Sequence, residues 1–88
     1  MRLAQLFDEP EVREMLEEAQ SKAKKRMATL TVRQREVALL IADGQPNKII
    51  AHRLGIAERS VENHRAEIMR RTEARSFAAL VKLVVLAG

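Results

Sequence analysis

The sequence predicts an all-α fold, a four-helix unit over 31–88 preceded by an amphipathic N-terminal helix. Three observations carry that expectation. Apolar residues recur at spacings of three and four along most of the chain and never alternate as strand residues do. Capping residues stand where those periodic stretches begin, with Thr31 and Ser76 the clearest. Only three glycines and two prolines punctuate 88 residues, each between periodic stretches or at the chain end.

Pro10 suits the first turn of the N-terminal helix, because its missing N–H would have no partner there, and Asp8 or Glu9 can cap it. Leu3, Leu6 and Phe7 form a small apolar patch ahead of it. Val12, Met15, Leu16, Ala19, Ala23, Arg26 or Met27, and Leu30 then recur at three and four, marking one side of a helix over about 10–27. Acids (Glu11, Glu14, Glu17, Glu18) fill its first half and bases (Lys22, Lys24, Lys25, Arg26) its second. That order complements the helix dipole, and Glu18 with Lys22 forms a favourable i,i+4 pair. The seam is about two heptads of modest apolar residues. Two readings stay open for it, a solvated linker and a dimerising helix.

Thr31 and Gln34 have the spacing of a capping box, so the next helix is expected over 32–43, with Val37, Leu40 and Ile41 inward and Gly44 ending it. Gln45-Pro46 forces extended backbone. Asn47 is then expected to cap a short helix over 47–54. Lys48 in its first turn opposes the dipole, a placement that makes sense where a phosphate docks. Gly55 falls where that helix must stop in a left-handed conformation. Beyond the turn, Val61, His64, Ile68 and Thr72 mark the inward side of a helix over 58–72. Two short helices joined by a glycine-bearing turn form a helix-turn-helix, whose second helix reads a DNA groove.

The outward face of that second helix mixes the chemistry a major groove requires. Arg59 suits guanine or phosphate, Asn63 adenine and Glu62 cytosine, while Ala66 fits a thymine methyl. Glu67 shares this face; Arg65, Arg70 and Arg71 are expected on phosphates. Ser76 caps the last helix, over 76–87, with Phe77, Leu80, Val81 and Val84 inward. Ala79, Leu83 and Leu86 are left facing outward, which marks them as a candidate dimer seam.

Composition bounds the alternatives. The chain has no Cys, which excludes disulfides and thiolate sites. The net charge of +4 arises entirely in 31–88, where ten bases face six acids, and a basic unit suits a polyanion. No apolar run approaches 18 residues and no signal-like start is present, so a cytoplasmic protein with no membrane role is expected. No nucleophile–base pair, phosphate loop or walled carboxylate pair suggests an enzyme. His52 and His64 lack metal-ligand spacing, and no cofactor is expected.

Leu30-Thr31-Val32-Arg33-Gln34-Arg35-Glu36-Val37, Pro46-Asn47-Lys48-Ile49-Ile50-Ala51, Gly55-Ile56 and Ser60-Val61-Glu62-Asn63-His64-Arg65 together resemble the LuxR/FixJ-type (GerE) DNA-binding domain. Ala74-Arg75-Ser76-Phe77-Ala78-Ala79-Leu80-Val81 looks most like the FixJ branch of response regulators. The resemblance covers 30–88 and implies a promoter-binding domain that dimerises through its last helix. By position it implies a phosphate contact at Lys48 and a groove-facing Glu62, Asn63 and Ala66. Ala57 departs from the family pattern at the usual Ser or Thr cap, and Thr72-Glu73 departs where a large apolar residue and a glycine are usual. Residues 1–30 are expected to be a linker or dimerisation helix, too short for a receiver domain. The protein partners implied are a second copy, another LuxR/FixJ-type regulator, or RNA polymerase. The rival reading is a protein-binding module that pairs with a full-length regulator.

Overall fold

A computed structural model describes Gln5 and residues 8–88, and the apolar patch expected at Leu3, Leu6 and Phe7 lies outside the described residues. Among the described residues, five helices follow one another from Pro10 onward: α1 (Pro10–Met27), α2 (Val32–Ala42), α3 (Asn47–Leu54), α4 (Glu58–Thr72) and α5 (Phe77–Ala87). No strand occurs among the described residues.

The capping box forms as the spacing predicts. The Gln34 amide N–H donates to Thr31 Oγ1 at 3.1 Å, and the Thr31 N–H donates to Gln34 Oε1 at 3.0 Å. α2 ends in a left-handed Gly44 at φ +83°. The Gly44 N–H then reaches the Ile41 carbonyl and the Gln45 N–H the Leu40 carbonyl, satisfying two acceptors the helix would otherwise orphan. Gly55 repeats the arrangement after α3, with φ +66° and the Ile56 N–H on the Ala51 carbonyl at 3.0 Å. Ser76 Oγ accepts the Ala79 N–H at 3.0 Å and opens α5.

Val37, Ala38 and Ile41 of α2 meet Ile50 and Ala51 of α3, Val61 and Ile68 of α4, and Leu80 of α5 in one core. α1 joins that core at its last turn through Met27, and the turn after it contributes Leu30. Thr72 is fully buried, and its hydroxyl is satisfied by donating to the Ile68 carbonyl at 2.7 Å.

Three expectations are corrected. Asn47 is the first residue of α3 and not its cap, because extended Pro46 already offers its carbonyl to the Ile49 and Ile50 N–H groups. Asn47 Oδ1 instead accepts from Arg65 at 3.3 Å. Phe77 is half exposed, at 51 %. It is the first residue of α5, and helical side chains tilt toward the N-terminus, so its ring overshoots the core that Leu80 fills. Leu83 and Leu86 are half-buried, not bare: α1 lies against α5 and supplies the cover that 31–88 lacks.

α1 does this with its second half only. Ala23 and Met27 are buried, whereas Met15 is 69 % exposed. α1 is about 27 Å long against about 17 Å for α5, so its first half runs on past α5. The molecule is drawn out accordingly, 48 × 24 × 20 Å, with a radius of gyration of 15.2 Å. A compact chain of this length would have about 12 Å.

α4 ends on a left-handed Glu73 at φ +59°, the position where glycine costs least. Its pairing with Arg26 is long, 3.9 Å, and exposed, so it offsets little of that strain. Glu73→Gly is expected to stabilise the fold by about 1 kcal/mol, seen as a rise of roughly 4–8 °C in Tm by calorimetry.

Candidate nucleic-acid interface

The back of α4 is fixed by burial. Val61 and Ile68 have no exposed surface, and His64 is half-buried beside them. Ala51 of α3 has a side chain small enough for the two helices to cross closely, and Gly55 turns the chain between them. A side chain at Gly55 would meet nothing within 4 Å, so the left-handed backbone is what selects glycine there.

With that side anchored, the opposite side has one direction open to it. Arg59, Glu62, Asn63, Ala66 and Arg70 are all exposed, as is Lys48 in the first turn of α3. Ala57, ahead of α4, gives no side-chain cap, so the first N–H groups of the helix rely on solvent or a ligand. The face thus carries a fork donor, a carboxylate acceptor, an amide with both donor and acceptor, and a methyl. Base edges in a major groove are distinguished by those groups.

The flanking arginines are less uniform than the sequence suggests. Arg65 is half-buried and bonded to Asn47, so it ties the start of α3 to the middle of α4. Arg71 is half-buried too. Its Nη1 donates to the Thr29 carbonyl at 3.0 Å and its Nε to Glu67 Oε1 at 2.9 Å. Arg71 therefore clamps the end of α4 to the α1–α2 turn. Arg70 stays exposed and closes on the same carboxylate, its Nη2 sharing Oε1 with Arg71 and its Nε donating to Oε2 at 3.2 Å. Glu67, expected among the groove-facing residues, is instead the acceptor between two guanidiniums. The i+3 and i+4 spacing of Arg70 and Arg71 from Glu67 carried that signal, but the Thr29 contact, 42 residues away, left no mark in the sequence.

The Arg70 and then the Arg71 hydrogen bonds hold the Glu67 carboxyl down to about 2, from an ordinary 4.5. Arg70 is raised in turn, by its bond to Glu67. A depressed carboxyl stabilises the fold fully above its unfolded value and loses that contribution as pH falls through the folded value. Carboxyl NMR is expected to show Glu67 titrating near 2, and Glu67→Gln should flatten the loss of stability between pH 4.5 and 2. A Glu67 midpoint near 4.5 would mean the pair does not form in solution.

No group of three or more His, Cys, Asp or Glu side chains converges to hold a metal among the described residues. No helix there is long and apolar enough to cross a membrane.

Residues 28–84 match the family described as bacterial regulatory proteins, luxR family. The chain is 43% identical over 72 residues to the transcriptional regulatory protein FixJ of Azorhizobium caulinodans, covering 82% of this chain and 34% of that protein. It is 41% identical over 63 residues to FixJ of Rhizobium meliloti, covering 72% of this chain and 31% of the relative. The fold superposes on the crystal structure of full-length FixJ from B. japonicum with a TM-score of 0.78 at 33% identity, over 93% of this chain and 39% of that one. The chain thus spans about a third of the length of these FixJ relatives. It belongs to the luxR family of bacterial regulatory proteins, transcriptional regulators that bind DNA through a helix-turn-helix.

Proposed function

We propose that this chain is a sequence-specific binder of double-stranded DNA that regulates transcription in the cytoplasm, with α4 in the major groove. The observation that carries the reading is the division of α4 into a buried back and an exposed front bearing Arg59, Glu62, Asn63 and Ala66. A solvated helix face needs only charge; this one also carries an amide and a methyl where base edges would lie. Lys48 supplies a phosphate contact at the start of α3, Arg59 and Arg70 flank the groove, and Arg65 and Arg71 brace the backbone-facing side. The domain acts as a homodimer on two half-sites, with Ala79, Leu83 and Leu86 in the seam. Half-buried leucines on a domain this small support that assembly.

Fluorescence anisotropy with DNA selected from a random pool tests the reading. Affinity is expected to fall steeply with salt, because each neutralised phosphate releases counterions. Lys48→Ala should weaken all sequences alike and flatten the log–log slope by roughly one. Asn63→Ala should cost about 1–3 kcal/mol on the selected site and relax preference at one base pair. Binding that ignores salt and sequence would overturn the proposal.

A further inference from the structure

α1 and α5 enclose an open groove of about 450 Å³ on the flank of the domain. Its floor is apolar, made by Ala19, Ala23, Ala79, Leu83 and Leu86. Lys22, Arg26, Arg75 and Lys82 rim it, and Glu73 is the single acid on its wall. Glu62, Asn63 and Ala66 take no part in it. The groove is therefore separate from the face proposed to read DNA.

The first half of α1 has the opposite character, with Val12 and Leu16 part-buried and the face that bears Met15 exposed. Glu11, Glu14, Glu17 and Glu18 are exposed around an exposed Met15, while Lys22, Lys24 and Lys25 follow in the second half. None of these seven charges forms an ion pair among the described residues, the expected Glu18–Lys22 pair included. Glu11, Met15, Glu18, Lys22 and Arg26 recur at spacings of four, three, four and four, so they share one face of α1. The groove side of the helix thus changes sign halfway along. A straight helix cannot bring its own first half into a groove built on its second half. A second copy laid antiparallel can, and a twofold axis through the middle of α1 makes both contacts equivalent.

We infer that the acidic first half of α1 docks in the α1–α5 groove of a second copy, with Met15 against Leu83 and Leu86 of the partner subunit. Each copy gives its acidic half and receives its partner's. Glu11 and Glu18 then meet the rim cations on each side, and the leucines that α1 only half covers are closed over. This rests on the homodimer proposed above and assigns its seam to α1 as well as α5.

Sedimentation equilibrium without DNA tests it by charge exchange. The parent is expected to dimerise, more weakly as salt rises. Glu11→Lys with Glu18→Lys puts bases against the basic rim, and Lys22→Glu with Arg26→Glu puts acids against the acidic half. Each double variant should raise the dimer Kd by at least about tenfold, which is 1.4 kcal/mol. An equimolar mixture of the two should dimerise again, because both exchanged contacts then pair opposite charges. Circular dichroism checks that helicity is kept. If the α1 substitutions unfold that helix, Lys82→Glu on the α5 rim repeats the basic-side disruption without touching α1. A monomeric parent, variants that dimerise like the parent, or a mixture that stays monomeric would overturn the inference. Single half-site DNA binding by Glu11→Lys/Glu18→Lys, expected within about twofold of the parent, separates this result from the DNA reading. Its absence in the parent would remove the DNA reading and leave the assembly result standing.

Discussion

The crossing of α3 and α4 is the constraint on which the remaining geometry depends. It needs a small side chain at Ala51, a left-handed residue at Gly55 and an apolar plug at Val61, all within eleven positions. The Ile56 N–H on the Ala51 carbonyl closes the turn, so the direction in which α4 leaves is set by backbone hydrogen bonds before any side chain reaches solvent. α2 then packs its apolar face against the pair, α5 packs on α1 and α2 and adds Leu80 to the shared core, and the exposed side of α4 is determined by exclusion. Position on that face converts ordinary polar residues into a surface with groove chemistry. The same residues on α1 would be only a solvated face.

Electrostatics divides the cations of this half into two kinds. Lys48, Arg59 and Arg75 make no ion pair among the described residues and keep their full charge for a partner. Arg65, Arg70 and Arg71 are occupied to differing degrees inside the domain. An arginine that already holds a carbonyl and a carboxylate must give up those bonds, or share its remaining N–H groups, to meet a phosphate. Arg71 is therefore better placed as a brace that keeps the end of α4 still. A phosphate role falls more naturally on Lys48, which has no bond to lose.

The sequence was most informative where structure is local. The Thr31–Gln34 box, the Ser76 cap and the glycine stops involve residues three to five apart, and every helix boundary lies within a residue of its expected place. The outward set on α4 follows from period alone, once Val61 and Ile68 are taken as buried. What escaped depends on contacts between distant segments. Periodicity says that Leu83 and Leu86 lie off the core face of α5, but not that α1 folds back over them. It equally cannot say that Arg71 turns toward Thr29, since nothing at position 29 distinguishes it as an acceptor. Phe77 misled for a further reason: large apolar residues usually mark a core, yet the first residue of a helix projects beyond it.

These nonlocal contacts link the two surfaces of the molecule. The end of α1 is held to the end of α4 by Arg71 on the Thr29 carbonyl, by the long Arg26–Glu73 pair, and by Met27 and Leu30 in the shared core. α1 is thus fixed to α4 rather than trailing from it. A two-half-site operator requires two recognition helices about 34 Å apart along the duplex, a distance that floppy connections would leave to chance. Pairing through helices rigidly joined to α4 would set that separation before DNA is met, so less of the binding energy goes into ordering the complex. The strain held at Glu73 lies at this junction, where α4, α5 and the end of α1 converge, so a change there would be expected to alter the angle between the surfaces proposed for pairing and for reading DNA.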